Sequence, residues 1–202
     1  MRIIICIIIT FLVTVINSHG QPEKPAKSFP SAKAMKSIAG SMVNQFQQSV
    51  RKTCDCPLMI LDGVLELFSE NARIEVTSLN RTDKVKYKPR DYFETVNSLK
   101  CSNDPVYDSM SFDYLPVDPE DGTVSTFDGS YTITYNITQT FNGKPVKKKR
   151  RQRYCDITIK KVVINFWFDR KGILMAKIIG VLVEKTKNCN GNEKLQIETA
   201  AK

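Results

Sequence analysis

The residues of this sequence that could do chemistry are cysteines, glycosylation sequons and one basic run. Histidine contributes almost nothing, because His19 is the only one in 202 residues and lies in a segment that we expect to be removed. A Ser-His or Cys-His catalytic pair and a histidine-ligated metal are therefore excluded from the mature chain. We expect no catalytic residue set, no metal site and no cofactor.

The N-terminus has the pattern of a secretory signal peptide. Arg2 precedes an apolar run over residues 3–16, and Asn17-Ser18-His19-Gly20 supply the polar and small exit. The run is shorter than the roughly 20 apolar residues that span a bilayer, so a transmembrane helix is the weaker interpretation. We predict cleavage after Gly20 and a secreted, extracellular protein with oxidised thiols.

One disulfide bridge can be predicted from strand pairing. If Phe168 lies opposite Ile173 in a hairpin, Cys155 lies across from about residue 186. Cys189 is then within reach if the chain turns back, and Cys155–Cys189 is our first predicted bridge.

The remaining cysteines leave an odd thiol. Six cysteines less Cys6 of the leader leave five, so at least one is unpaired or bonded to another chain if oxidation is complete. Cys101 is predicted to pair with Cys54 or Cys56. A thiolate metal site is disfavoured because one residue separates Cys54 from Cys56, where zinc sites have two to four.

Two Asn-X-Thr sequons, at Asn80 and Asn136, are acceptors for N-linked glycan in a secreted chain. Asn80 lies in a predicted turn. Asn136 shares the polar face of a predicted strand with Thr134 and Thr138. We predict that at least one of the two asparagines is glycosylated.

A run over residues 144–153 carries seven basic side chains and no acid, within a chain of net charge +9. The leader argues against a nucleic-acid partner for this run. Three interpretations remain: a solvated hairpin arm, a patch for sulphated glycans or acidic lipid, and a dibasic processing site. The candidate anion-binding residues are Lys147, Lys148, Lys149, Arg150, Arg151 and Arg153.

The first half of the chain is predicted to hold three helices and a hairpin. Apolar residues at helical spacing predict helices over residues 35–50 and 58–68, and Pro89 opens a third. Short alternating runs at residues 72–76 and 85–87 predict a hairpin between the second and third helices.

The second half is predicted to be an antiparallel meander. Asn142-Gly143 and the turn over residues 169–172 are strong hairpin signals. The strands they join are predicted at residues 106–115, 124–141, 144–168 and 173–184.

Two finer predictions follow from this meander. With Phe141 opposite Lys144, Asn136 faces Lys149 and Tyr135 faces Arg150, so a glycan would stand beside the basic run. In the third strand the apolar residues change parity at Lys160-Lys161, which predicts a bulge that bends the sheet.

This order of elements resembles the nuclear transport factor 2-like fold over residues 35–184. The resemblance includes the stretch Leu65-Glu-Leu-Phe-Ser-Glu-Asn-Ala-Arg-Ile, where a helix leads into the first strand, and Tyr87-Lys-Pro-Arg-Asp-Tyr-Phe, which opens the third helix. It implies an α+β cone of three N-terminal helices packed on a curved antiparallel sheet, with a cup between them. The predicted divisions are a signal peptide (1–20), a flexible segment (21–32), the domain (33–186) and a polar tail (187–202).

The family includes isomerases, dehydratases, cyclases, carriers and binding modules, so the fold does not settle function. We expect a secreted binding module whose cup holds a small apolar ligand and whose basic hairpin arm contacts an anionic glycan or lipid surface. The alternative is a cofactor-free isomerase or dehydratase-like enzyme that uses an acid or phenol of the cup. The acids and phenols nearest the meander, which are more often surface acids and core tyrosines, are Asp113, Tyr114, Asp128, Tyr131 and Tyr135.

Residues 165–168 and 178–183 are apolar on both strand faces, although helices can cover only one face. The uncovered face favours a homodimer through the sheet, as the resemblance also implies. The alternative is a single chain whose N-terminal segment covers the sheet.

Overall fold

The computed structural model describes residues 28–52, 58–78, 83–101, 107–145 and 154–189. Within these ranges the predicted helices and the hairpin between them are present, and the third helix begins at the predicted Pro89. The elements are α1 (Ala32–Lys52), α2 (Leu58–Leu65), β1 (Phe68–Val76), β2 (Val85–Tyr87), α3 (Pro89–Cys101), β3 (Tyr107–Tyr114), a 3₁₀ helix (Pro119–Asp121), β4 (Thr123–Phe127), β5 (Ser130–Pro145), β6 (Tyr154–Phe168) and β7 (Leu174–Asn188).

The sheet is mixed, with strand order β2-β1-β7-β6-β5-β3 and β4 paired to β5. β1 pairs parallel with β7, so the prediction of a wholly antiparallel sheet is wrong at this pair. Parallel strands need a long connection, and here all the elements between β1 and β7 supply it. Only α1 and α2 precede the sheet, since α3 follows the β1–β2 hairpin.

The predicted strand over residues 124–141 is two strands joined at Asp128-Gly129. Both turn residues have positive φ, at 45° and 70°, as a two-residue hairpin turn requires. The prediction of a hairpin turn at Asn142-Gly143 is therefore wrong, because Asn142 lies within β5, where it pairs with Ser111 on β3 and with Cys155 on β6.

Gly143 is needed for close packing instead of for a turn. A Cβ at this position would lie 2.8 Å from the Phe141 ring and 2.9 Å from the Tyr107 ring. The connection between β5 and β6 falls in residues 146–153, which lie outside the described residues.

The corrected turn changes which residues face one another. Asn136 pairs with Lys161 and Tyr135 with Val162, so the predicted pairings with Lys149 and Arg150 are wrong. The predicted glycan site on β5 therefore lies beside Lys161 of β6.

The sheet is bent by irregularities in β7. The β6–β7 register shifts between Ile159 and Lys160 and again between Val163 and Ile164, each time with an extra residue on β7. Bulges of this kind bend a strand and increase its twist. The predicted irregularity at Lys160 is thus correct in place but lies on the neighbouring strand.

The predicted Cys155–Cys189 bridge is present, with a Cα–Cα distance of 5.5 Å. Phe168 pairs with Leu174 and not with Ile173 as predicted, which moves the register by one residue. The two extra residues in β7 shift the β6–β7 register by two further residues. Together they bring Cys189 opposite Cys155, and the Cys189 N–H donates to the Cys155 carbonyl at 3.1 Å.

The core lies between α1 and the inner halves of the long strands. Phe46 of α1 makes edge-on ring contacts with Phe68, Phe93 and Tyr114. Phe68 was predicted on α2, but it begins β1. The other fully buried core side chains include Met35, Val43, Val50, Ile74, Ile133, Tyr135, Ile137, Ile164, Phe166 and Ile178.

Among the described residues no helix is both long enough and apolar enough to cross a bilayer.

Candidate ligand-binding cup

A cavity of about 160 Å³ lies between α3 and the concave face of the sheet. We call it the cup. Its apolar wall comes from Val76, Val96, Leu99, Phe112 and Phe141. Its polar side chains are Tyr92 of α3, Gln139 of β5, and Asp156, Thr158 and Lys160 of β6.

The strands place these residues in rows that cross the concave face. Paired positions on β5, β6 and β7 share a row, and the rows change from apolar to polar along the strands. From the core outward they read Tyr135–Val162–Val181, Ile137–Lys160–Val183, Gln139–Thr158–Thr186 and Phe141–Asp156–Asn188. The filled core ends at the row of Lys160, and the cup begins there.

This boundary explains the parity change that the sequence shows in β6. Asp156, Thr158 and Lys160 lie on the same buried face as Val162, Ile164 and Phe166, without interruption. The strand therefore keeps its orientation while its inward-facing residues change from packed core to cup lining.

Lys160 is the most unusual residue of the cup. Its side chain is 2% exposed, and its Nζ lies 5.8 Å from the centroid of the Tyr92 ring. Burial lowers the pKa of Lys160 to about 8, and no carboxylate among the described residues forms a salt bridge with it. A buried ammonium without a counter-ion is costly, so its place here calls for a reason.

Other polar groups around the cup also lack partners. The hydroxyls of Tyr92 and Tyr114 are close enough to affect each other's pKa, but neither oxygen makes a well-formed hydrogen bond to a described residue. Gln139 Oε1 is likewise buried without a partner among the described residues. Each such group costs about 1–3 kcal/mol unless a ligand or water satisfies it.

The phenols are hydrogen-bond donors at neutral pH. Burial raises the pKa of Tyr92 to about 12, with a smaller opposing contribution from the Tyr114 hydroxyl, and burial raises the pKa of Tyr114 well above its ordinary value. Neither phenol can therefore act as a base near pH 7. Asp156, which is 6% exposed, is the carboxylate of the cup lining.

The five acids and phenols singled out from the sequence lie mostly elsewhere. Asp113 and Asp128 are exposed, and the Tyr131 ring contacts the tilted Phe29 ring with a centroid distance of 4.5 Å. Tyr135 uses its hydroxyl in the core, 2.8 Å from the Lys36 carbonyl and 2.9 Å from that of Pro119. Only Tyr114 reaches the neighbourhood of the cup.

The cup residues Tyr92, Gln139, Asp156, Thr158 and Lys160 were not singled out from the sequence. The signal for three of them was present, since residues 156, 158 and 160 share the parity of the buried apolar positions that follow. A polar run continuing an apolar strand face could have indicated a cavity lining.

Of the other predicted site residues, Asn136 is exposed on β5. Asn80, Cys54 and Cys56 lie outside the described residues, as does the side chain of Cys101. The predicted signal peptide (1–20), residues 21–27 of the predicted flexible segment (21–32) and residues 190–202 of the predicted tail (187–202) also lie outside, as do the basic residues Lys147, Lys148, Lys149, Arg150, Arg151 and Arg153. Within the described ranges no group of three or more His, Cys, Asp or Glu side chains is placed to hold a metal ion.

No protein-family model matches this chain, and no curated protein matches its sequence. Solved structures resemble it at low identity. A nuclear transport factor 2-like protein from Salmonella enterica has 9% identity and a TM-score of 0.44, covering 85% of this chain and 100% of that one. A scytalone dehydratase-like protein from Novosphingobium aromaticivorans has 9% identity and a TM-score of 0.43, covering 84% and 98%.

A hexachlorocyclohexane dehydrochlorinase has 8% identity and a TM-score of 0.42, covering 80% of this chain and 95% of that one. All three identities are 8 to 9%, and all three TM-scores are below 0.5.

The order and pairing of the elements define the class of domain. Two helices, a hairpin, a third helix and long strands agree with the order of elements on which the sequence resemblance was based. The chain is an α+β domain with a mixed sheet, and its cup is small and has polar side chains at its floor.

Proposed function

We propose that this protein binds a small, partly apolar molecule in the cup. The observation that carries the proposal is the meeting of an apolar wall with the buried ammonium of Lys160, which has no counter-ion among the described residues, and with two buried oxygens that lack partners there, the Tyr92 hydroxyl and Gln139 Oε1. A fold gains no stability from such groups, whereas a ligand that pairs with them restores their hydrogen bonds.

The volume limits the ligand. An apolar protein cavity of about 150 Å³ holds a benzene molecule. The cup, at about 160 Å³, therefore fits one ring or a chain of about six carbons. Val96, Leu99 and Phe112 would contact the apolar body.

The test is to fill the cup and measure binding. Leu99 lines the cup, and Leu99→Phe adds a ring to that wall; Leu115, which is 72% exposed, offers Leu115→Phe as a matched control. Ligands retained by the purified protein are measured by native mass spectrometry, and one-ring probes by calorimetry. We expect Leu99→Phe to weaken binding at least tenfold and Leu115→Phe to leave it unchanged. Equal binding by the two variants would place the site elsewhere.

A second candidate is a cofactor-free isomerase or dehydratase-like enzyme. The observation that favours it is that Asp156 and Tyr92 both line the cup, where a carboxylate is a candidate general base. Turnover of a cup ligand that is lost in Asp156→Asn, with binding retained, would support catalysis. Unchanged turnover in that variant would reject Asp156 as the base.

We also propose that the protein is secreted and carries glycan on Asn80, Asn136 or both. The proposal depends on the leader pattern over residues 1–20, and the exposure of Asn136 is compatible with modification. Intact mass and N-terminal sequencing of protein from a secreting host test it. A retained Met1 with no added glycan mass would contradict both parts.

The basic run over residues 144–153 is proposed to contact an anionic glycan or lipid surface. It follows β5 and precedes β6 in the sequence, and it carries seven basic side chains and no acid. Neutral replacement of Lys147 to Arg151 should abolish salt-sensitive binding to heparin resin. Retained binding would reject this surface.

The outer sheet face is proposed to form a homodimer. Ile179 and Leu182 on β7 are 41% and 40% exposed, which a partner surface would cover. Sedimentation at micromolar concentration should give the mass of two chains. A monomer would favour coverage by the chain's own N-terminal segment.

A further inference from the structure

We propose that the ligand of the cup is a small organic acid whose carboxylate pairs with Lys160. This inference rests on the proposed function and adds the chemical class of the ligand. It comes from the position of one cation relative to the groups around it.

Lys160 lies at the floor of the cup. It shares a row with Ile137 and Val183, one row nearer the packed core than Gln139, Thr158 and Thr186. Its Nζ approaches the Tyr92 ring at 5.8 Å, a contact that partly stabilises a cation but leaves its hydrogen-bond donors to find other partners. A carboxylate entering the cup head first would meet these donors.

The ring of Tyr92 lines the same cavity, while its hydroxyl is buried beside that of Tyr114. The buried ammonium favours a ligand group with acceptor oxygens and a negative charge. An alcohol or amide would satisfy the hydrogen bonds but would leave the buried charge without a counter-ion. An acid satisfies both requirements.

The ionisable groups that face Lys160 do not replace such a ligand. Tyr87 of β2, Tyr92 of α3 and Tyr107 of β3 line the cup, and Tyr114 lies beside Tyr92. Asp156 is on the same face of β6 but four residues away, about 13 Å along the strand.

β5 contributes the uncharged Gln139 to the lining, and β7 places the uncharged Thr186 beside Thr158. Glu75 of β1 is turned away, since its carboxylate accepts the Val183 N–H at 3.0 Å and pairs with Lys86 at 3.6 Å. The charge on Lys160 therefore lacks compensation from the described side chains.

The test compares acids with neutral analogues of the same shape. Calorimetry measures benzoate against benzamide and hexanoate against hexanamide, at pH 6.5 and 9.5. The variants are Lys160→Met and, as a matched control, Lys161→Met, whose side chain is on the outer face, 41% exposed and paired with Glu184 at 2.9 Å.

We expect wild type and Lys161→Met to bind the acids at least tenfold more tightly than the amides at pH 6.5. The preference should disappear in Lys160→Met, and it should fall at pH 9.5 because deprotonation removes the charge. Bound benzoate should also raise the pKa of Lys160 in wild type by more than one unit, as measured by NMR of the lysine side chain. This measurement does not require any variant to fold.

Three results would overturn the inference, and they differ in meaning. Amides and acids bound equally well would show that the cup binds ligands without using the charge of Lys160. Neither class bound in wild type would overturn the proposed function as well. If Lys160→Met still preferred acids, the preference would be assigned to the net positive surface of the protein and not to Lys160.

Discussion

The Nζ of Lys160 lies 5.8 Å from the centroid of the Tyr92 ring, so the floor of the cup pairs a buried cation with an aromatic face. The two residues come from different layers, β6 and α3. The contact stabilises the ammonium by roughly 0.5–2 kcal/mol, which is less than the cost of burying it. The part of the desolvation cost that this contact does not offset is the basis for assigning a binding role to Lys160.

Replacing Lys160 should stabilise the ligand-free protein. A pKa lowered from 10.5 to about 8 means that the buried charge costs about 3 kcal/mol at neutral pH. We therefore expect Lys160→Met to raise the free energy of unfolding at pH 7 by up to about 3 kcal/mol, measured by chemical denaturation. Lys161→Met should change it by less than about 0.5 kcal/mol.

The pH dependence of this effect has a definite sign. Between pH 8 and 10.5 the unfolded chain binds the lysine proton and the folded chain does not, so this group makes wild-type stability rise with pH in that window. Lys160→Met lacks the rise, and its advantage should vanish towards pH 10.5. A constant advantage across this window would show that charge burial is not its cause.

Gly122 and Gly63 should respond oppositely to alanine. A Cβ at Gly122 would lie 2.7 Å from the Tyr135 hydroxyl, whereas nothing lies within 4 Å of a Cβ at Gly63 of α2. Gly122→Ala should displace Tyr135 and destabilise the fold by roughly 1–3 kcal/mol. Gly63→Ala should stabilise it by up to about 1 kcal/mol. Thermal denaturation of both variants tests this prediction. Changes in Tm of the same sign and size would contradict the packing described for Gly122 and Gly63.

Glu75 should contribute more to the free energy of unfolding than Glu184, although both form salt bridges. Glu75 is 7% exposed and accepts the N–H of Val183 beside the β7 bulge, while Glu184 pairs with the exposed Lys161. Glu75→Ala removes the acceptor of the buried Val183 N–H and the ion-pair partner of Lys84 and Lys86, costing about 2 kcal/mol. Glu184→Ala should cost less than about 1 kcal/mol. Denaturant titrations that rank the two in reverse order would refute this account of the bulge.

The Cys155–Cys189 bridge should contribute measurably to stability. It closes a separation of 34 residues, which corresponds to about 3–4 kcal/mol in the chain-entropy description. Replacing both cysteines by alanine should lower the free energy of unfolding by up to that amount, measured in guanidinium. A loss below about 0.5 kcal/mol would show that the paired strand ends hold without it.

The helices could be predicted because their sequence signals are local. The bridge could be predicted because the hairpin turn over residues 169–172 lies between its two cysteines. Pro89 and the apolar spacing of α1 depend on neighbours in sequence. The parallel β1–β7 pair depends on residues about a hundred positions apart, so no local pattern reveals it. Asn142-Gly143 shows the limit of local turn chemistry, since the contacts of Gly143 with Tyr107 and Phe141 override it.

The polar lining of the cup was missed for a related reason. The parity change at Lys160 was visible, but a bulge and a change from core to cavity lining give the same pattern along one strand. Only the position of α3, which leaves the space above Thr158 and Lys160 unfilled, separates the two explanations.

The most direct test of the account is the pKa of Lys160 in the ligand-free protein, measured by NMR titration of its side chain with Lys160→Met to assign the signal. A lysine buried in the cup without a counter-ion predicts a pKa of about 8. A value near the ordinary 10.5 would mean that the side chain reaches solvent or a carboxylate, and it would contradict the binding site built around it.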